Sequence, residues 1–141
     1  MTYSVQQVLT EVKGLKAMAN LPAERYAEED GLADSFVQGL KGDLKPTQLR
    51  RVFHQIKDLR RQIKHETKFD RAKVALVMPT LAYAVGRKLI PADFYELMKL
   101  CFGQERCRTQ TDFETAADFL EAIMAYHKYR SEFEKTRRNL S

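Results

Sequence analysis

The chain has 141 residues, one domain's worth, with no room for a second folded core. Six glycines and four prolines are too few for a barrel or sandwich of short strands, the longest uncharged stretch (residues 74–86) falls short of the roughly 20 residues that span a bilayer, and no secretory signal surrounds the first basic residue, Lys13. A soluble, cytoplasmic protein with no membrane partner is expected, and its net charge of +5 is unevenly placed, with 11 basic and 4 acidic groups in residues 41–73, the footprint of a polyanion binder or of a solvated basic face.

The helical spacing of Val5, Val8, Leu9, Val12 and Leu15 predicts a first amphipathic helix over residues 3–18. Pro22 and the acidic run Glu28, Glu29, Asp30 break the pattern, so residues 20–31 read as a flexible, solvated loop. Leu32, Phe36 and Leu40 make one short helix, stopped by Gly39 and Gly42. Pro46 suits the first turn of the next helix, where its missing N–H has no intrahelical partner to lose, and the pattern carries that helix to about Phe69. Residues 72–88 are apolar nearly all round and predict a buried helix that Pro79 either kinks or restarts. Pro91 opens a helix with Phe94, Leu97, Met98 and Cys101 on one face, and Gly103 closes it. Cys101 and Cys107 fit neither zinc nor redox spacing and read as reduced thiols in the core or at the surface. Thr111 with Glu114 forms a capping box ahead of Phe113, Ala116, Leu120, Ile123 and Met124, so the last helix starts near Thr111. Phe119, Tyr126 and Tyr129 cover a second face and make that helix central. The fold class is all-α: a compact bundle of about five to six helices in a single domain over residues 1–141.

The 47–69 helix carries the most informative pattern. At 100° per residue, Leu49, Val52, Ile56, Leu59 and Ile63 gather on one side, while Arg50, His54, Lys57, Arg61, Lys64 and Lys68 fall within about 80° of one another on the far side. This ladder of five cations and one imidazole runs roughly 27 Å with no carboxylate inside it, flanked by Arg51, Arg60 and Arg71. Like charges at this spacing cost a few tenths of a kcal/mol each unless a polyanion lies along them. Residue chemistry alone leaves both nucleic-acid contact and a solvated face open.

Three segments carry a resemblance: Leu44-Lys-Pro-Thr-Gln-Leu-Arg-Arg-Val-Phe53, Leu81-Ala-Tyr-Ala-Val-Gly-Arg-Lys88 and Phe119-Leu-Glu-Ala-Ile-Met-Ala-Tyr-His-Lys-Tyr129. In that order, over about residues 36–130, they resemble the signature segments of the small subunit of the type III-A CRISPR effector, the Csm complex. The resemblance implies a non-catalytic helical bundle, present in several copies stacked as a filament beside the backbone subunits. Its partners would be guide RNA, single-stranded target RNA, the large and backbone subunits, and copies of itself. RNA would be held by its backbone without sequence readout, while the neighbouring subunits do the cutting and make the cyclic oligoadenylate messenger. Carried onto this chain, the implied contacts are Lys45, Gln48, Arg50, Arg51, Lys57, Arg61 and Lys64, with Arg87 in the second segment; the ladder adds His54 and Lys68.

Other residues keep two readings. Arg87 either offsets a helix C-terminal dipole or contacts phosphate. His127 either packs or touches RNA, and Tyr83, Tyr126 and Tyr129 read as core aromatics before base-stacking platforms. Glu114, Asp118 and Glu121 form an acidic edge that reads as solvated, or as the surface that meets a basic edge of the next copy. Lys128, Arg130, Arg137 and Arg138 make a second basic cluster. With neither a phosphate-cradling glycine loop nor a recognisable nucleophile arrangement, no enzyme, metal or cofactor is expected. A helical DNA-binding regulator and a purely structural helical adaptor are the alternatives; a helix-turn-helix would concentrate its cations at one end of a recognition helix instead of along its length.

Overall fold

The structure is a computed structural model and describes residues 2–40, 44–64 and 68–140, with side chains up to Phe133. It is all-α, with no strand among the described residues. The first helix, α1 (Val5–Lys13), starts in a capping box: Ser4 Oγ accepts the Gln7 N–H at 3.1 Å and Gln7 Oε1 accepts the Ser4 N–H at 2.8 Å. It ends well short of residue 18, because the Arg106 guanidinium donates to the terminal carbonyls of Val12 (3.1 Å) and Lys13 (2.7 Å). Residues 20–31 are not simply a solvated loop. A 3-10 turn (Met18–Asn20) and the one-turn helix α2 (Ala23–Tyr26) bury Met18, Leu21 and Tyr26 in the core, while the acidic run stays outside.

Helix α3 (Leu32–Gly39) buries Leu32 and Phe36 as expected, whereas Gly42 lies outside the described residues. The basic helix is α4 (Pro46–Lys64). Residues 72–88 form two helices, α5 (Arg71–Ala75) and α6 (Val77–Gly86), broken at Leu76. Of the two possibilities at Pro79 the restart holds, since its ring excludes the carbonyl of Ala75 four residues back and its nitrogen has no proton to donate there. The expectation of a buried helix holds for one face only: Val77, Leu81 and Ala84 of α6 are buried, Met78 and Val85 pack partly against the core, and Leu76 and Tyr83 are 71% and 63% exposed. Alanine, proline and tyrosine look apolar in a hydropathy pattern without requiring burial.

Helix α7 (Ala92–Phe102) follows Pro91 and buries Phe94, Leu97, Met98 and Cys101. It stops at Gly103, where a Cβ would sit 2.5 Å from the Lys99 carbonyl oxygen. Helix α8 (Gln110–Leu140) uses a capping box two residues upstream of the predicted one. Thr109 Oγ1 accepts the Asp112 N–H at 3.1 Å, and Asp112 Oδ2 accepts the Thr109 N–H at 3.2 Å. Asp112 wins over Glu114 because its buried carboxylate also takes the N–H groups of Arg108 (3.1 Å) and Ala19 (2.9 Å), tying the 3-10 turn to the start of α8.

The helical stretches outnumber the predicted five or six, because residues 72–88 are split and residues 18–31 contribute turns of their own. Helix α8 is central: it packs on α3, α4 and the 3-10 turn and buries Phe113, Ala116, Phe119, Leu120 and Ile123, while α1 packs on α7 and α3. Both cysteines are buried free thiols. Burial pushes both up, Cys107 to about 12, so neither forms the nucleophilic thiolate near neutrality. Ellman's reagent should therefore leave both unmodified in the native protein over minutes and titrate both in guanidinium; prompt native labelling would contradict this packing.

Candidate nucleic-acid interface

Lys45 and Pro46 set up the site. The Lys45 carbonyl accepts the Leu49 N–H at 3.0 Å, and Pro46 occupies the first helical position, where no donor is lost. From there the 3.6-residue period sorts the side chains: Leu49, Val52, Ile56, Leu59 and Ile63 are buried, and Arg50, His54, Lys57, Arg61 and Lys64 are exposed on the opposite side. Lys45 and Arg51 are exposed beside this row, and Gln48 is half-buried at its edge.

Three sequence expectations need correction. Lys68 does not continue the row within α4; it is exposed in a bend after the helix, and residues 65–67 between them lie outside the described residues. Arg61 is not free of carboxylates, because Asp58 pairs with it three residues back. That pair is well exposed, 71% and 58% at the two side chains, and is worth too little to keep Arg61 from an incoming phosphate. The acidic edge on α8 is not wholly solvated either: Arg60 bonds Glu114 and, at 2.9 Å, Asp118. Burial works against the Arg60 charge but the two carboxylates outweigh it, so its pKa is raised and the guanidinium is committed to holding α4 against α8. Of that edge, Glu121 remains exposed.

The remaining candidates divide in the same way. Arg87 is exposed at the C-terminal cap of α6, donating to the Tyr83 hydroxyl at 3.0 Å with its guanidinium 5.6 Å from the ring centroid. Tyr83 is thus a surface aromatic and not a core one. Tyr126 is half-buried and donates to the Ala27 carbonyl at 2.7 Å; Tyr129 donates to Glu29 at 3.2 Å. Both tie α8 to residues 27–29; Tyr129 is nevertheless exposed, a surface aromatic like Tyr83 and not a core one. His127 is half-buried. Arg130 leaves the C-terminal basic cluster for a buried carboxylate, Asp34, at 2.8 and 2.6 Å, and the side chains of Arg137 and Arg138 lie outside the described residues.

The structure adds a groove of about 250 Å³ between α4 and α8, which residue-by-residue reading missed. Lys57, Arg60, Arg61 and Lys64 line one side; Phe53, with the edges of the buried Ile56 and Ala117, supplies apolar wall, and Glu121 lines the α8 side. Phe53 lies about 60° from Arg50 around α4, at the border of the cationic and apolar faces, and that position was the available signal. Among the described residues no group of three or more His, Cys, Asp or Glu is placed to hold a metal ion.

The family model for Csm2 Type III-A matches residues 23–132, a span that contains α4, the groove and all three signature segments. Searches of the curated proteins and of the solved structures find no match.

Proposed function

We propose, from the premise that the chain belongs to the Csm2 Type III-A family and is a small subunit of a type III-A CRISPR effector complex, that it holds guide and single-stranded target RNA by the phosphate backbone along α4. The supporting observation is the row Arg50, His54, Lys57, Arg61 and Lys64, exposed along a helix whose opposite face is anchored in the core. A row with this geometry neutralises phosphates by charge and carries no rigid set of base-reading donors, so binding is salt-dependent and nearly sequence-blind. Lys45, Gln48, Arg51, Lys68 and Arg87 extend the contact on either side. The cations run the length of α4 and not only its N-terminal turn, which favours a strand lying along it over a recognition helix in a major groove. The role is non-catalytic and cytoplasmic: copies stack beside the backbone and large subunits, which do the chemistry.

The test is a salt titration. If about four phosphates are neutralised, log affinity for single strands falls against log salt with a slope near −3. Changing Arg50, Lys57 and Lys64 together to alanine should flatten the slope by about 2 and weaken unrelated RNA sequences equally, with the helical circular dichroism spectrum unchanged. An unaltered slope in the folded variant overturns the assignment; a preference for duplex DNA points to a regulator, and no binding to any nucleic acid points to an adaptor.

A further inference from the structure

Phosphate tracking explains the cations of α4 but not the apolar hollow beside them. The groove between α4 and α8 sets the half-exposed ring of Phe53, backed by the buried Ile56 and Ala117, beside Lys57, Arg61 and Lys64. A face that only neutralised phosphates would need no such wall, and an apolar concavity at the edge of a charged row is stabilised by a ligand with a flat apolar part and an attached anion. We infer that this groove takes one unpaired nucleobase of the bound RNA, with the base against Phe53 and its phosphate on the rim of Lys57, Arg61 and Lys64; the inference rests on the RNA-binding reading above.

Charge orients the nucleotide. Arg60 also lines the groove, but its guanidinium is held by Glu114 and Asp118; Glu121 on the α8 side is a carboxylate, so a phosphate pushed inside meets a negative group, whereas a phosphate on the α4 rim meets the three exposed cations. The neutral base is therefore the part that enters. At about 250 Å³ the groove lies below the roughly 300–1,000 Å³ of sites for drug-sized ligands and has room for a base. The ring is available: Phe53 is only half-buried, and the Lys57 ammonium sits 6.0 Å from its centroid, at the outer limit of a cation–π contact, so the lysine stem can swing to the phosphate while the base takes its place. Base–aromatic stacking tolerates any sequence, because every base presents a π-face. Each copy of the chain would then hold one base out of the stack without reading which base it is.

The experiment compares fluorescein-labelled single-stranded RNA of 12 nucleotides with a strand of equal length and charge that is abasic throughout, both binding the full-length protein. The abasic strand is expected to bind about tenfold more weakly with the same salt slope. Phe53→Leu should remove most of that difference, leaving slope and helical spectrum intact. In wild type, 4-thiouridine in the strand should crosslink to the peptide containing Phe53, a readout that stands even if the variant fails to fold. Equal affinity for the two strands, a base dependence that survives in folded Phe53→Leu, or crosslinks confined to other helices would each overturn the base site while leaving phosphate binding standing. Failure of both strands to bind would overturn the RNA-binding reading and this one with it.

Discussion

Replacing Asp34 with alanine is expected to destabilise the protein by about 3 kcal/mol. Asp34 is fully buried on α3, where its carboxylate accepts two bonds from the Arg130 guanidinium at 2.8 and 2.6 Å and the Asp30 N–H at 2.8 Å. Truncating it strands a guanidinium at the helix interface. The loss falls at the lower end of the range for broken buried pairs, because Arg130 stays 21% exposed and keeps Glu29 and Asp30 at 3.6 Å. Burial alone would raise the Asp34 pKa, but Arg130 and the Asp30 N–H outweigh it and hold the carboxyl below its usual value. A depressed carboxylate pKa contributes stability above the unfolded value of about 3.9 and loses it as pH falls through the folded value. Urea unfolding should show the variant's deficit in full at pH 7 and shrinking below about pH 4. A deficit under 1 kcal/mol, or one that grew with acid, would mean the pair is not stabilising.

A comparable loss, about 3–4 kcal/mol, is expected for Phe119→Ala. Phe119 is fully buried in the N-terminal third of α8 and stacks on Tyr26 of α2, with ring centroids 5.3 Å apart and planes inclined by 24°. Truncation removes the transfer free energy of the ring and its aromatic contact, and leaves a cavity that α2 and α8 can only partly close. The variant should also release the short helices of residues 18–31, so limited proteolysis near Arg25 should become faster than global unfolding permits. Protection at Arg25 equal to the parent's, after correction for stability, would show that Phe119 does not hold this segment.

Much of this architecture is written in periodicity. Leu49 through Ile63 on α4, Phe94 through Cys101 on α7 and Phe113 through Ile123 on α8 recur at helical spacing and are the residues buried. Periodicity speaks only within one helix, however, and the misjudged residues are those whose partners lie on another. Arg60 sits beside the cation row and resembles it in type, yet Glu114 and Asp118 claim it. Arg130 looked like one more surface cation until the fold brought Asp34 beneath it. Thr109 with Asp112 and Thr111 with Glu114 are rival capping boxes, and the bonds to Asp112 from Arg108 and the distant Ala19 N–H decide between them. The groove is invisible for the same reason, being shared by α4 and α8, and the exposure of Leu76 and Tyr83 is invisible because apolar composition does not by itself require burial.

The ties between the 3-10 turn, the acidic run, α3 and α8 join groups far apart along the chain. Ala19 and Asp112 are 93 residues apart, Asp34 and Arg130 96, Ala27 and Tyr126 99, and Glu29 and Tyr129 100. Helical proteins ordinarily assemble from neighbours in sequence and can begin folding while still being made. Here α1 packs on α7 and α3, but α3, the 3-10 turn and the acidic run find their anchors on the last helix. At roughly 5–20 residues per second, the ribosome needs about 5–20 s to go from Asp34 to Arg130, and through that interval the early helices wait with Leu32, Phe36 and Tyr26 unburied by their final partners. The contacts of α1 and α2 with α3 can form early, but the N-terminal helices gain their last covering only when α8 emerges and joins the beginning of the chain to its end.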